Sequence, residues 1–88
     1  MTKKDIKIIN ELGIHARPAG MIANTSARFV CDVKIIKDGM EVNAKSIMGI
    51  MTLAAGKGSV LTVVTAGKDE AKAMEAINDL FLKKFDEE

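Results

Sequence analysis

The residues with most chemistry in them stand in Gly13-Ile14-His15-Ala16-Arg17-Pro18-Ala19. His15 is the one histidine of the sequence, and an arginine follows two positions later. Proline is favoured in the first turn of a helix, where its missing N–H would have had no acceptor. Gly13 lets the backbone turn sharply before the histidine. A helix starting near Ala16 brings its unpaired N–H groups and positive dipole end close to the imidazole. Such a place receives an anion, phosphate above all. A neutral imidazole is a good nucleophile, and a guanidinium can grip phosphate oxygens in pairs. The spacing therefore offers phosphoryl chemistry on His15, with Ala16, Arg17 and Pro18 as the phosphate-holding region. The plain alternative is a helix-capping histidine beside a surface arginine, because short motifs often match by chance.

The equipment that is missing narrows the chemistry further. No Gly-x-x-x-x-Gly-Lys-Ser/Thr loop is present for a nucleotide, and Gly56-Lys57-Gly58-Ser59 is too short to serve as one. One histidine and one cysteine are too few for a metal site of the usual kind, so no metal and no cofactor are expected. The chain is equipped to carry a phosphoryl group but not to extract one from ATP, so it needs partners. A docking surface is legible in Ile47, Met48, Ile50, Met51 and Leu53, which crowd too many apolar residues into one short helix. Ile50 and Leu53 are expected in the core. Ile47, Met48 and Met51 are expected at the surface, where methionine side chains repack easily against several partners.

The elements that must position these residues follow from periodicity. Lys4 to Ile9 alternates as a half-buried strand, and Asn10 to Gly13 is a loop. Ala16 to about Ala27 repeats apolar residues at helical spacing, with Gly20 as a weak point or a mark of close approach by another surface. Phe29 and Val30 close that pattern. Asp32 to Lys37 is a strand with Val33 and Ile35 on one face. Asp38-Gly39 suits a type I′ turn into a return strand, Met40 to Asn43. Ser46 is the expected N-cap of a short helix from Ile47 to about Leu53. Val60 to Thr65 is β-branched and apolar enough for a central strand. Asp69 is expected to cap a last helix running to about Lys84, with Ala73, Met74, Ile77, Leu80 and Phe81 inward and Lys83 and Lys84 complementing the dipole. The tail, Asp86-Glu87-Glu88, is expected to fray.

The order β-α-β-β-α-β-α predicts an α+β, open-faced two-layer sandwich: a four-stranded antiparallel sheet with three helices on one face. The 88 residues are expected to form a single domain, 1–88. Net charge is +1, with no Trp or Tyr and three Phe, so neither a basic surface nor a base-stacking platform for nucleic acid is present. No run resembles a signal peptide or a membrane span, and Cys31 is alone; a cytoplasmic protein with no direct membrane insertion is expected.

Gly-Ile-His-Ala-Arg-Pro-Ala, followed some thirty residues later by Asn43-Ala44-Lys45-Ser46-Ile47-Met48-Gly49, resembles the HPr family over essentially the whole chain. These are the histidine-containing phosphocarriers of the bacterial phosphoenolpyruvate:sugar phosphotransferase system. The resemblance implies an antiparallel sheet covered by helices. It implies that the residue matching His15 is phosphorylated on its δ nitrogen by enzyme I and passes the group to sugar-specific enzyme IIA domains, without being an enzyme itself. The sequence alone does not distinguish the two ring nitrogens. Docking is implied through the first helix, with Gly20 and Asn24, and through Ile47, Met48 and Met51. Lys45-Ser46-Ile47-Met48-Gly49 looks like the Gram-positive form of the family, which implies regulatory phosphorylation of Ser46 by a dedicated kinase and phosphorylase. A catabolite-control transcription repressor is a further implied partner, and a monomer is expected. Gly20 departs from the bulkier or hydroxylated residues common there, and Ala54-Ala55-Gly56 departs from the family's loop. Two other readings are a binding module of similar layout, regulatory or RNA-binding, and a small general-base enzyme using His15. The latter is weakened because no second catalytic group is evident beside the histidine.

Overall fold

The computed structural model describes residues 1–87. Four strands form one sheet: β1 (Thr2–Lys7), β2 (Asp32–Lys37), β3 (Met40–Asn43) and β4 (Val60–Ala66). The helices are α1 (Ala16–Ala27), α2 (Ile47–Met51) and α3 (Glu70–Leu82), and a tight turn at Lys84–Asp86 follows. The strand order is β1-β4-β2-β3 and every neighbouring pair is antiparallel. β4 is therefore interior, with Val63 opposite Lys4 on one side and Ile35 on the other. Its buried residues, Leu61, Val63 and Thr65, alternate with partly exposed Thr62 and Val64, as a sheet covered on one face requires.

The covered face packs Ile6, Ile8, Val33, Ile35, Leu61 and Val63 against Ala19, Ile22 and Ala23 of α1, Ile50 of α2 and Ala73, Met74, Ile77 and Phe81 of α3. Burial of each large aliphatic or aromatic side chain contributes roughly 1.5–3 kcal/mol relative to exposure. The architecture is the expected open-faced α+β sandwich. The hairpin also follows expectation: Asp38 and Gly39 both have positive φ, 50° and 83°, as a type I′ turn demands.

Several boundaries shift. β1 covers Thr2–Lys7, although Ile8 beyond it remains buried and its N–H donates to the Ser59 carbonyl at 2.9 Å. α2 stops at Met51, and Val30 does not close the apolar face of α1 but stands exposed in the following loop. Asp69 precedes α3 yet makes no side-chain cap to it. Its carboxylate instead accepts the N–H groups of Val30 and Cys31, each at 2.9 Å, tying the α1–β2 connection to the start of α3. Those bonds, led by the one from Val30, hold the Asp69 carboxyl below its ordinary range. α3 ends at Leu82, so Lys83 and Lys84 lie beyond its last turn. Lys84, Phe85 and Asp86 then all adopt positive φ (51°, 54° and 59°), which reverses the hand of the backbone and ends the helix. Burial of Phe85 accompanies that turn: its ring meets Phe81 edge-on, with centroids 4.9 Å apart and planes at 67°.

Candidate functional site

His15 is the N-cap residue of α1, with extended backbone (φ −86°, ψ −169°) and no hydrogen bond from its side chain to the helix. The imidazole stays 38% exposed. The plain alternative of a capping imidazole is therefore not what the structure adopts. The N–H groups of Ala16 and Arg17 have no acceptor within the helix, Pro18 has no N–H, and no acidic residue belongs to the first turn. The open end of α1 is consequently electropositive.

The loop before it is fixed closely. Gly13 has φ +66°, and a Cβ there would come within 2.7 Å of the Ala55 carbonyl oxygen and 2.8 Å of Gly56 Cα. The next N–H, of Ile14, donates to that same oxygen at 2.9 Å. Any side chain at position 13 would have to push the histidine's loop away from residues 55–56.

The expected frayed tail is corrected for Asp86 and Glu87; Glu88 lies outside the described residues. The left-handed turn, anchored by Phe85, brings Glu87 back over the start of α1. Glu87 Oε2 lies 2.5 Å from His15 Nε2 and 3.7 Å from Arg17 Nη1. Glu87 Oε1 accepts from Asn10 Nδ2 at 2.9 Å, and Asn10, itself buried, also donates to the Gly13 carbonyl at 2.8 Å. Arg17 Nη1 donates to the Phe85 carbonyl at 2.7 Å. The hydrogen bond from Asn10 is the main cause holding the Glu87 carboxyl below its usual range; His15 and Arg17 add to it and partial burial opposes it. A second titratable group thus does stand beside His15, contrary to expectation. It escaped the sequence reading because seventy-two positions separate the two. The one local signal was Phe85, an apolar residue four positions beyond Phe81.

Residues 2–83 match the family model described as the PTS HPr component phosphorylation site. The chain belongs to the HPr family. The phosphocarrier protein HPr of Treponema pallidum is 47% identical over 88 residues, the whole of both chains. The crystal structure of HPr-C-His from Thermoanaerobacter tengcongensis superposes with a TM-score of 0.96 at 43% identity, covering 100% of this chain and 99% of that one. A structure described as an HPr dimer from the same organism gives 0.78 at 42% identity, covering 97% and 98%.

The other expected residues lie on α1, on α2 and at the turn before α2. Ile47, Met48 and Met51 are exposed, Met48 at 74%, while Ile50 and Leu53 are buried, as expected. α1 and α2 pack together. A Cβ at Gly20 would find only Ile47 Cδ1, at 4.0 Å, so Gly20 adjoins the apolar patch but no close approach requires a glycine there. Asn24 is exposed one turn further along α1. Ser46 is half-buried at the N-cap of α2, its hydroxyl accepting the Gly49 N–H at 3.0 Å. Lys45 beside it donates to the Phe29 carbonyl at 2.9 Å, fastening this corner to the end of α1. Among the described residues no group of His, Cys, Asp and Glu could hold a metal ion, and no helix is long and apolar enough to cross a membrane.

Proposed function

We propose that this chain is a cytoplasmic phosphocarrier in which His15 accepts a phosphoryl group from phosphoenolpyruvate-charged enzyme I and passes it to sugar-specific enzyme IIA domains. The observation that carries the reading is an exposed imidazole at the open N-terminus of α1, with the two free N–H groups and Arg17 beside it. An imidazole nitrogen forms the bond to phosphorus as the donor's bond breaks. The N–H groups of Ala16 and Arg17 and the guanidinium receive the oxygens. Arg17 engages the Phe85 carbonyl through Nη1 alone, and a guanidinium carries five N–H donors.

Ile47, Met48 and Met51, with Gly20 and Asn24, form the docking surface for both donor and acceptor proteins in this reading. Ser46 borders that surface, so a kinase and phosphorylase acting there would place about two negative charges beside it. Enzyme I would lose affinity, and a basic pocket on a transcription repressor would gain it. The carrier works as a monomer in this proposal, a point that sizing of the purified chain in solution decides.

The test is incubation with phosphoenolpyruvate and enzyme I. Acid-labile phosphate on His15, transferable to an enzyme IIA domain, is the expected result; no incorporation overturns the reading.

A further inference from the structure

We propose that Glu87 is a positioning residue for phosphoryl transfer: its carboxylate holds the proton on His15 Nε2, so that Nδ1 presents the free electron pair to phosphorus. The inference rests on the reading of His15 as the phosphoryl acceptor and adds a residue to it. A nitrogen and a carboxylate oxygen 2.5 Å apart must share a proton, since two lone pairs would repel at that distance. With the Glu87 carboxyl held acidic by Asn10, the proton belongs to the ring. A neutral imidazole carries one N–H, so Nδ1 is left as the bare nitrogen.

The carboxylate is built into place. Asn10 is buried and spends its amide N–H groups on Gly13 O and Glu87 Oε1. Phe85, two residues before Glu87, is buried against Phe81 and offers its carbonyl to Arg17. Each piece that fixes Glu87 also fixes the loop or helix that carries His15.

The step balances without a free proton. The Nδ1 electron pair forms the P–N bond, and the pair of the breaking bond departs with the donor. Nε2 keeps its hydrogen, so the product ring is a phosphorylated imidazolium with its positive charge against Glu87. On transfer to the acceptor, the P–N electron pair returns to Nδ1 and the ring is neutral again. Glu87 therefore favours a charge that grows as the phosphoryl group is accepted and declines as it is passed on, and leaves docking alone.

The experiment uses the whole chain with 15N-labelled histidine, as the natural sequence and as Glu87→Ala and Glu87→Gln. Before phosphorylation, at alkaline pH, the natural protein should show a single Nε2–H imidazole form with a downfield, slowly exchanging proton. Glu87→Ala should lose that proton signal, and the maximal rate of His15 phosphorylation should fall about tenfold with the KM for the carrier unchanged. Glu87→Gln, whose amide oxygen still accepts, should keep the Nε2–H form and recover part of the rate. Absence of the Nε2–H signal in the natural protein overturns the proposal. So does a Glu87→Ala rate equal to or above the natural one; a rise would make the tail an obstruction. Failure of the natural chain to take up phosphate would instead sink the phosphocarrier reading, while the spectra still report whether Glu87 sets the imidazole.

Discussion

At the start of α1 the N-cap residue His15 keeps its side chain off its own helix, whereas at the start of α2 Ser46 turns its hydroxyl back onto the Gly49 N–H. One N–H of the α2 N-terminus is thus taken up by the helix's own cap. The α1 N-terminus is left to whatever comes from outside, and in this structure a carboxylate from the far end of the chain stands at its imidazole. The start of α3 is a third case, since Asp69 serves the backbone of the neighbouring α1–β2 connection. A helix start completed by its own cap contributes stability, and one left incomplete contributes binding capacity.

Substitutions can break this contrast, beginning with the largest effect. His15→Ala should abolish acid-labile phosphate uptake while costing about 1 kcal/mol of stability, because no cap is lost but the hydrogen bond to Glu87 is; denaturant titration alongside a phosphorylation assay checks both halves. Arg17→Lys keeps the charge but loses the planar fork, so the transfer rate at saturating enzyme I should fall tenfold or more, corresponding to about 1.4 kcal/mol in the transition state. An unchanged rate would remove Arg17 from the phosphate-holding set.

At the other helix start the balance should reverse. Ser46→Ala should cost about 1 kcal/mol of stability and leave the maximal rate of His15 phosphorylation as it was. Ser46→Asp adds a charge next to the docking surface, so the KM for the carrier should rise by more than the maximal rate falls. Steady-state kinetics with an unaltered KM would reduce Ser46 to a cap.

The smallest effect concerns Asp69. Asp69→Asn weakens two charge-assisted bonds and should lower the melting temperature by about 5 °C near neutral pH. The carboxyl's folded value is lowered, so the natural protein's advantage is complete above the ordinary aspartate range. It disappears as pH falls through the lowered value. Melting curves from pH 7 to pH 2 should therefore converge for the two proteins.

Much of this was legible in the sequence where local chemistry and burial agree. α1 starts and stops where its pattern does, and Asp38-Gly39 makes the turn its composition demands. The split of Ile50 and Leu53 from Ile47, Met48 and Met51 follows from there being one core to face. The tail is another matter. Neither Lys84 nor Phe85 favours a left-handed backbone, and of the three only Asp86 is a type that visits it with any regularity. What accompanies it is the burial of one phenylalanine against another, a tertiary contact that local propensity does not contain. Asp69 misled for a related reason: its type suits a cap, but the exposed turn it reaches comes from thirty-nine positions earlier.

The pairing of β1 with β4 has a consequence for how the chain is made. Lys7 pairs with Val60 and Thr2 with Thr65, so the first strand has no neighbour in the sheet until β4 has left the ribosome. At roughly 5–20 residues per second, translating the intervening ~60 residues takes about 3–12 s. Ile6 and Ile8, buried in the finished protein, spend that interval without their sheet partner. Lys3, Lys4 and Lys7 flank them with positive charge, which discourages the waiting segment from pairing with another nascent chain.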